Sequence, residues 1–157
     1  MRNLFLLVDG GFASFDLLEE CCRLHITLIC RLRIDAKLYD FPPEPTKGKR
    51  GPKPMKGELL PSLKTLANDE KQLWKKTKLP WYQYDEKSIS YISGVALMHK
   101  TKHLPIAVKW VLVRIEGKKN PQAFFSNNAE IDALDILKRY MFLWNVEVTF
   151  EEARAHL

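Results

Sequence analysis

The sequence predicts an α/β protein, and three observations carry that prediction. Residues 4–8 form a short continuous apolar run, and residues 26–34 form a second run rich in β-branched and apolar side chains. A helix-length amphipathic segment lies between them. The middle of the chain breaks on prolines and glycines and then alternates in short β-rich stretches. The last thirty residues carry apolar positions at helical spacing. The 157 residues thus divide into a strand–helix–strand start (1–35), a mainly antiparallel β subdomain inserted into it (36–125) and a C-terminal helical segment (126–157).

Each element follows from its local chemistry. Gly10 and Gly11 end the first strand, and Ser14 is placed to cap a helix over residues 15–24, with Leu17, Leu18, Cys21 and Leu24 on its apolar side. Two strands joined through a helix imply a parallel pair with a right-handed crossover. Pro42, Pro43 and Pro45 stop regular structure. Lys47, Lys49, Arg50, Lys53 and Lys56 follow, interleaved with Gly48, Gly51, Pro52, Pro54 and Gly57, and read as an extended basic loop. Residues 64–78 are polar and read as helical around Leu66 and Leu73, after which 81–84, 88–95 and 106–115 read as strands. In the last segment Leu134, Leu137, Met141, Trp144 and Val148 predict one helix over 132–154, with Glu147 at the edge of its apolar stripe. Val146, Val148 and Phe150 also alternate with period two, so residues 145–150 taken alone fit a strand.

The bulk numbers narrow the function classes. A hydrophobic content of 46% excludes wholesale disorder, and a net charge of +6 favours a polyanionic partner. Cys21, Cys22 and Cys30 show no C-x-x-C spacing, which argues against a zinc site or a disulfide framework and suits a reducing cytoplasm. No apolar run reaches membrane-spanning length. Both ends read as internal to something longer: the chain opens almost directly on a buried-type strand and closes without a helix stop signal.

Two carboxylates stand out. Asp9 ends the first strand, where ligands bind in parallel α/β sheets. Glu147 shares a helix face with Tyr140, Leu143, Glu151 and Arg154. A tyrosine, a carboxylate and a cation along one helix edge can position a metal and grip a phosphate; the plainer reading is a surface cluster of small energetic value. Arg31 and Arg33 alternate on the second strand and suit bidentate phosphate binding, against a simple pairing with Asp35 or Glu19. Lys47, Lys49, Arg50 and Lys53 suit contact with a phosphate backbone. The four tryptophans, Trp74, Trp81, Trp110 and Trp144, read as core rather than base-stacking platforms. His99 and His103 sit in a lysine-rich stretch with no acidic neighbour in sequence and are not read as metal ligands.

Taken together, these residues resemble a known family. Tyr140, Leu143, Glu147 and Arg154 fit the spacing Y-x-x-R-x-x-x-E-x-x-x-x-x-x-K of the DDE transposases of bacterial insertion sequences. Residues 7–14 (LVDGGFAS) resemble the strand of that family's second aspartate, residues 31–40 the start of its insertion domain and residues 48–53 (GKRGPK) its basic loop. Residues 110–114 and 122–126 resemble the strands that lead back to the core, and residues 144–157 the helix of the third catalytic residue. The resemblance implies a partial ribonuclease-H-like core interrupted by a β-rich insertion. It implies two Mg²⁺ or Mn²⁺ ions bridged by three carboxylates, acting in line at a phosphodiester of a transposon end in double-stranded DNA. By position, Asp9 would be the second catalytic Asp and a metal ligand, and Glu147 the final Glu and a metal ligand, while Tyr140 and Arg154 would contact DNA.

The departures from the pattern shape the expectation. The family's first Asp would fall upstream of this chain. Leu143 stands where the family has Arg, Arg154 replaces Lys, and Asn127-Asn128 stand where relatives carry Thr-Asp. The expectation is a cytoplasmic fragment of a DDE transposase, inactive alone, able to bind DNA and to pair with itself or with an intact transposase. A stand-alone basic DNA-binding or regulatory module is the alternative, and a generic α/β domain with structural carboxylates is the third reading.

Overall fold

The computed structural model describes residues 4–10, 14–80 and 86–156, and between 143 and 152 it describes the backbone alone. The elements run β1 (Phe5–Val8), α1 (Phe15–Arg23), β2 (Thr27–Leu32), α2 (Leu63–Ala67), β3 (Lys75–Pro80), β4 (Glu86–Met98), β5 (Ile106–Ile115), β6 (Gln122–Ser126) and α3 (Ala133–Ala155). The protein is α/β with one mixed six-stranded sheet, in the order β1-β2-β6-β5-β4-β3. β1 and β2 are parallel, with Val8 opposite Cys30, as the strand–helix–strand pattern predicts. Every other pairing is antiparallel, so the strands of segment 36–125 continue the same sheet that β1 and β2 begin.

α1 starts where the sequence places its cap: Ser14 Oγ accepts from the Leu17 backbone N–H at 3.1 Å. It buries Leu18 and Cys21. Leu24, expected on the apolar side, is instead the C-cap and is exposed, and the chain turns through His25 at φ 55°. Residues 64–78 do not form one helix. α2 stops after a single turn because Asn68 and Asp69 compete with the helix for backbone groups. Asn68 Nδ2 donates to the Lys64 carbonyl, and Asp69 Oδ1 accepts from the Lys71 N–H at 2.9 Å. Leu73 is left exposed, and Lys75–Pro80 pairs with β4 instead. The C-terminal segment takes the helical option throughout, including residues 145–150. The strand expected at 81–84 lies outside the described residues.

The sheet carries a core on each face. α1, α2 and the chain around Leu38 pack on one side over Leu28, Cys30, Leu32, Ile92, Ala96, Val108, Leu112 and Phe125. α3 packs on the other, setting Ala133, Ile136, Leu137, Tyr140 and Met141 against Ile29, Ile89, Val111, Val113 and Phe124. The alternation of side chains along each strand divides the two sets. Lys138 and Phe142 of α3 line one small cavity with Leu79 and Pro80 of β3 and another with Leu7 of β1. The two outermost strands therefore both approach the same stretch of α3.

Candidate metal and nucleic-acid site

Asp9 lies one residue past the end of β1 and is exposed. Its Oδ1 accepts from the Gly10 N–H at 2.6 Å. Gly10 passes close over Arg31 of β2: a β-carbon at Gly10 would sit 3.5 Å from the Arg31 Cβ. The neighbouring Cys30 thiol is fully buried. Burial pushes its pKa up to about 12, and the Asp9 charge adds to the effect. Cys30 therefore stays protonated and is no nucleophile at neutral pH.

The two arginines of β2 fare differently. Arg33 is engaged, with Nε and Nη2 donating to the two Asp35 oxygens at 3.0 and 2.9 Å, and the guanidinium holds Asp35 below the usual carboxylate range. The simple Asp35 pairing weighed from the sequence is thus formed. Arg31 makes no ion pair among the described residues and lines an open cleft of about 470 Å³ with Arg33, Asp35, Lys64 and Gln122.

Glu147 lies on α3, but its side chain, like that of Leu143, lies outside the described residues. α3 packs on β1, β2, β5 and β6, and the Arg139 guanidinium sits 3.7 Å from the centre of the Phe5 ring. Arg154 is exposed in the last turn of α3. Tyr140 packs in the core: it is 6% exposed, its ring centroid 4.6 Å from that of Phe124.

Lys47, Lys49, Arg50 and Lys53 are all exposed on a loop whose base is clamped. Gly57 N–H donates to the Asp40 carbonyl at 2.7 Å, and Asp40 N–H to the Glu58 carbonyl at 2.9 Å. Tyr39 in turn exchanges backbone hydrogen bonds with Leu97 of β4 at 2.9 and 2.8 Å. Lys56 is tied down as well, 3.8 Å over the Tyr39 ring and 3.1 Å from His99 Nδ1. Gly48 and Gly51, at φ 94° and 128°, let the tip reverse direction.

Three features were invisible in the sequence. Asn127, read only as a departure, bridges two chain segments: its Oδ1 accepts from Leu28 N–H at 2.8 Å and its Nδ2 donates to the Ile26 carbonyl at 2.9 Å. His103 does have acidic neighbours, Glu19 and Asp16, brought from α1 by the fold. Lys76, Lys78, Ser88, Ser90 and Arg114 line a further basic cleft on β3–β5. Of the tryptophans, Trp74 and Trp110 pack against the core, Trp74 under the Arg114 guanidinium.

No family model, characterised protein or solved structure matches the chain. Among the described residues, no helix is long and apolar enough to cross a membrane.

Proposed function

We propose that this chain is part of a DDE-type transposase lineage, with a partial ribonuclease-H-like core, that acts on phosphodiesters of double-stranded DNA. The observation that carries the reading is the setting of Asp9. It stands at the carboxyl end of a parallel strand pair, next to Gly10, which passes close to the Arg31 side chain. Phe5 packs under Arg139 of α3 and Leu7 lines a cavity with the same helix, so the alternation of β1 continued to Asp9 points toward the layer that carries Glu147.

The chemistry follows from these groups. One Asp9 oxygen is held by the Gly10 N–H, and its exposed carboxylate fits an oxygen-seeking cation. Asp9 and Glu147 would hold Mg²⁺ or Mn²⁺, which supplies Lewis-acid polarisation of the phosphate and activation of the attacking oxygen when bound. Arg31 would receive a phosphate oxygen as a charge-assisted hydrogen-bond donor. The exposed loop cations, Lys47, Lys49, Arg50 and Lys53, would track the adjoining backbone, and Arg154 would add a cation from α3. Because the resemblance maps two of three carboxylates onto these 157 residues, the chain alone is expected to bind DNA without cleaving it.

Mn²⁺ broadening of backbone amide NMR signals tests the shared site. Signals around Asp9 and around Glu147 should broaden together, and both effects should vanish in Asp9→Asn. Broadening of one segment without the other, or in neither, would refute the site. The clamped basic loop favours a second reading, a DNA-binding module without catalysis. Under that reading Glu147→Gln leaves DNA affinity unchanged and Mn²⁺ broadens neither segment. Charge reversal in the loop then lowers the salt dependence by about 0.9 for each phosphate no longer neutralised.

A further inference from the structure

The turn between β4 and β5 lays an imidazole against the first turns of α1. His103 Nδ1 is 2.6 Å from Glu19 Oε1. Asp16 stands three residues before Glu19, on the same face of the helix. One ligand atom from each of Asp16, Glu19 and His103 lies within 4.8 Å of the other two. The His103 ring is fixed edge-on against Phe15, with centroids 5.5 Å apart at 71°. The turn that presents it closes through a His103 N–H to Lys100 carbonyl bond at 3.0 Å, with Lys102 at φ 68°.

We propose that Asp16, Glu19 and His103 form a binding site for a divalent transition-metal ion of the Zn²⁺ class. Carboxylates alone would suit Mg²⁺ or Ca²⁺, and the imidazole nitrogen shifts the preference toward Zn²⁺, Co²⁺ or Ni²⁺. Zinc sits about 2.0–2.2 Å from such ligands, so atoms already this close converge on one ion by side-chain rotation, with no backbone movement. The side chains are free to rotate: Asp16 is 72% exposed and Glu19 39%. Lys100 Nζ, 3.5 Å from Asp16 Oδ1, neutralises that carboxylate and is itself half exposed, so an arriving ion displaces it into water. The ion would join α1 to the β4–β5 turn, which is otherwise tied to it there by the Phe15–His103 ring contact and two ion pairs. This site shares no residue with Asp9 and Glu147.

Isothermal titration of the full chain with ZnCl₂ tests the proposal, alongside His103→Ala, Glu19→Gln, Asp16→Asn and Asp9→Asn, each checked for native circular dichroism. The expected result is one equivalent bound by the wild type and by Asp9→Asn. Each of the other three variants should bind at least about tenfold more weakly, since loss of even an outer-sphere partner costs that much. Glu19→Gln and Asp16→Asn keep side-chain shape, so they carry the test if His103→Ala misfolds. No uptake by the wild type overturns the site. So does equal uptake by the ligand variants, which would place the ion elsewhere on the chain.

Discussion

The Cys30 thiol gives the protein a signature at alkaline pH. Unfolded, a cysteine loses its proton near pH 9.0; folded, Cys30 keeps it to about pH 12. Its contribution to stability is therefore complete below pH 9 and declines as pH rises toward 12, by up to about 1.4 kcal/mol per pH unit. Urea unfolding at about pH 8, 9.5 and 10.5 should show the wild type losing stability faster than Cys30→Ala by about that slope; parallel profiles would contradict it. The burial behind this effect was legible in part, since residues 26–34 read as a strand rich in β-branched and apolar side chains. The nearby Asp9 charge follows from the expected parallel pairing, which sets Val8 opposite Cys30. Asn127 was not legible. Its value lies in bonds to Leu28 and Ile26, about a hundred residues away, and no local pattern marks an amide for that task. His103 taught the same lesson, because its carboxylates arrive only when α1 and the β4–β5 turn meet.

At the level of elements, the sequence was most readable where period and burial agreed. Residues 106–115 alternate across a two-sided core and form Ile106–Ile115, and the C-terminal stripe forms α3. It was least readable at residues 64–78, where a weak helical pattern lost to edge pairing with β4 once Asn68 and Asp69 had ended α2. The basic loop was recognised by composition, but its clamp was not, because backbone hydrogen bonds leave no mark on side-chain pattern. Gly57 is the exception that explains itself afterwards. A β-carbon there would lie 2.4 Å from the Phe41 carbonyl oxygen and 3.0 Å from that of Asp40, and backbone cannot yield as a side chain can. Gly57→Ala should cost about 1–3 kcal/mol and open the loop base. Hydrogen exchange should quicken at Asp40, Gly57 and Leu60, whose N–H donates to the Leu38 carbonyl at 2.8 Å, while the amides of β5 keep their protection; uniform protection in the variant would refute the clamp.

The sheet pairs strands that follow one another in sequence at every step but one, and that one, β2 with β6, joins its two ends. β2 pairs with β1 a short helix away, but on its other side it waits for β6. Such topology slows folding, because loop closure must precede the contacts that reward it. Refolding followed by tryptophan fluorescence should proceed in milliseconds to seconds, and a dominant phase faster than a millisecond would contradict the pairing order.

That same β2–β6 pairing has a consequence on the ribosome. About ninety residues separate Leu32 from Gln122. At roughly 5–20 residues per second, the nascent chain carries Leu28, Ile29 and Cys30 with one strand edge open for about 5–20 s. These three side chains are almost fully buried in the finished protein. For that interval the unpaired N–H and C=O groups of β2 are a template for any passing strand, until β6 is made and covers them.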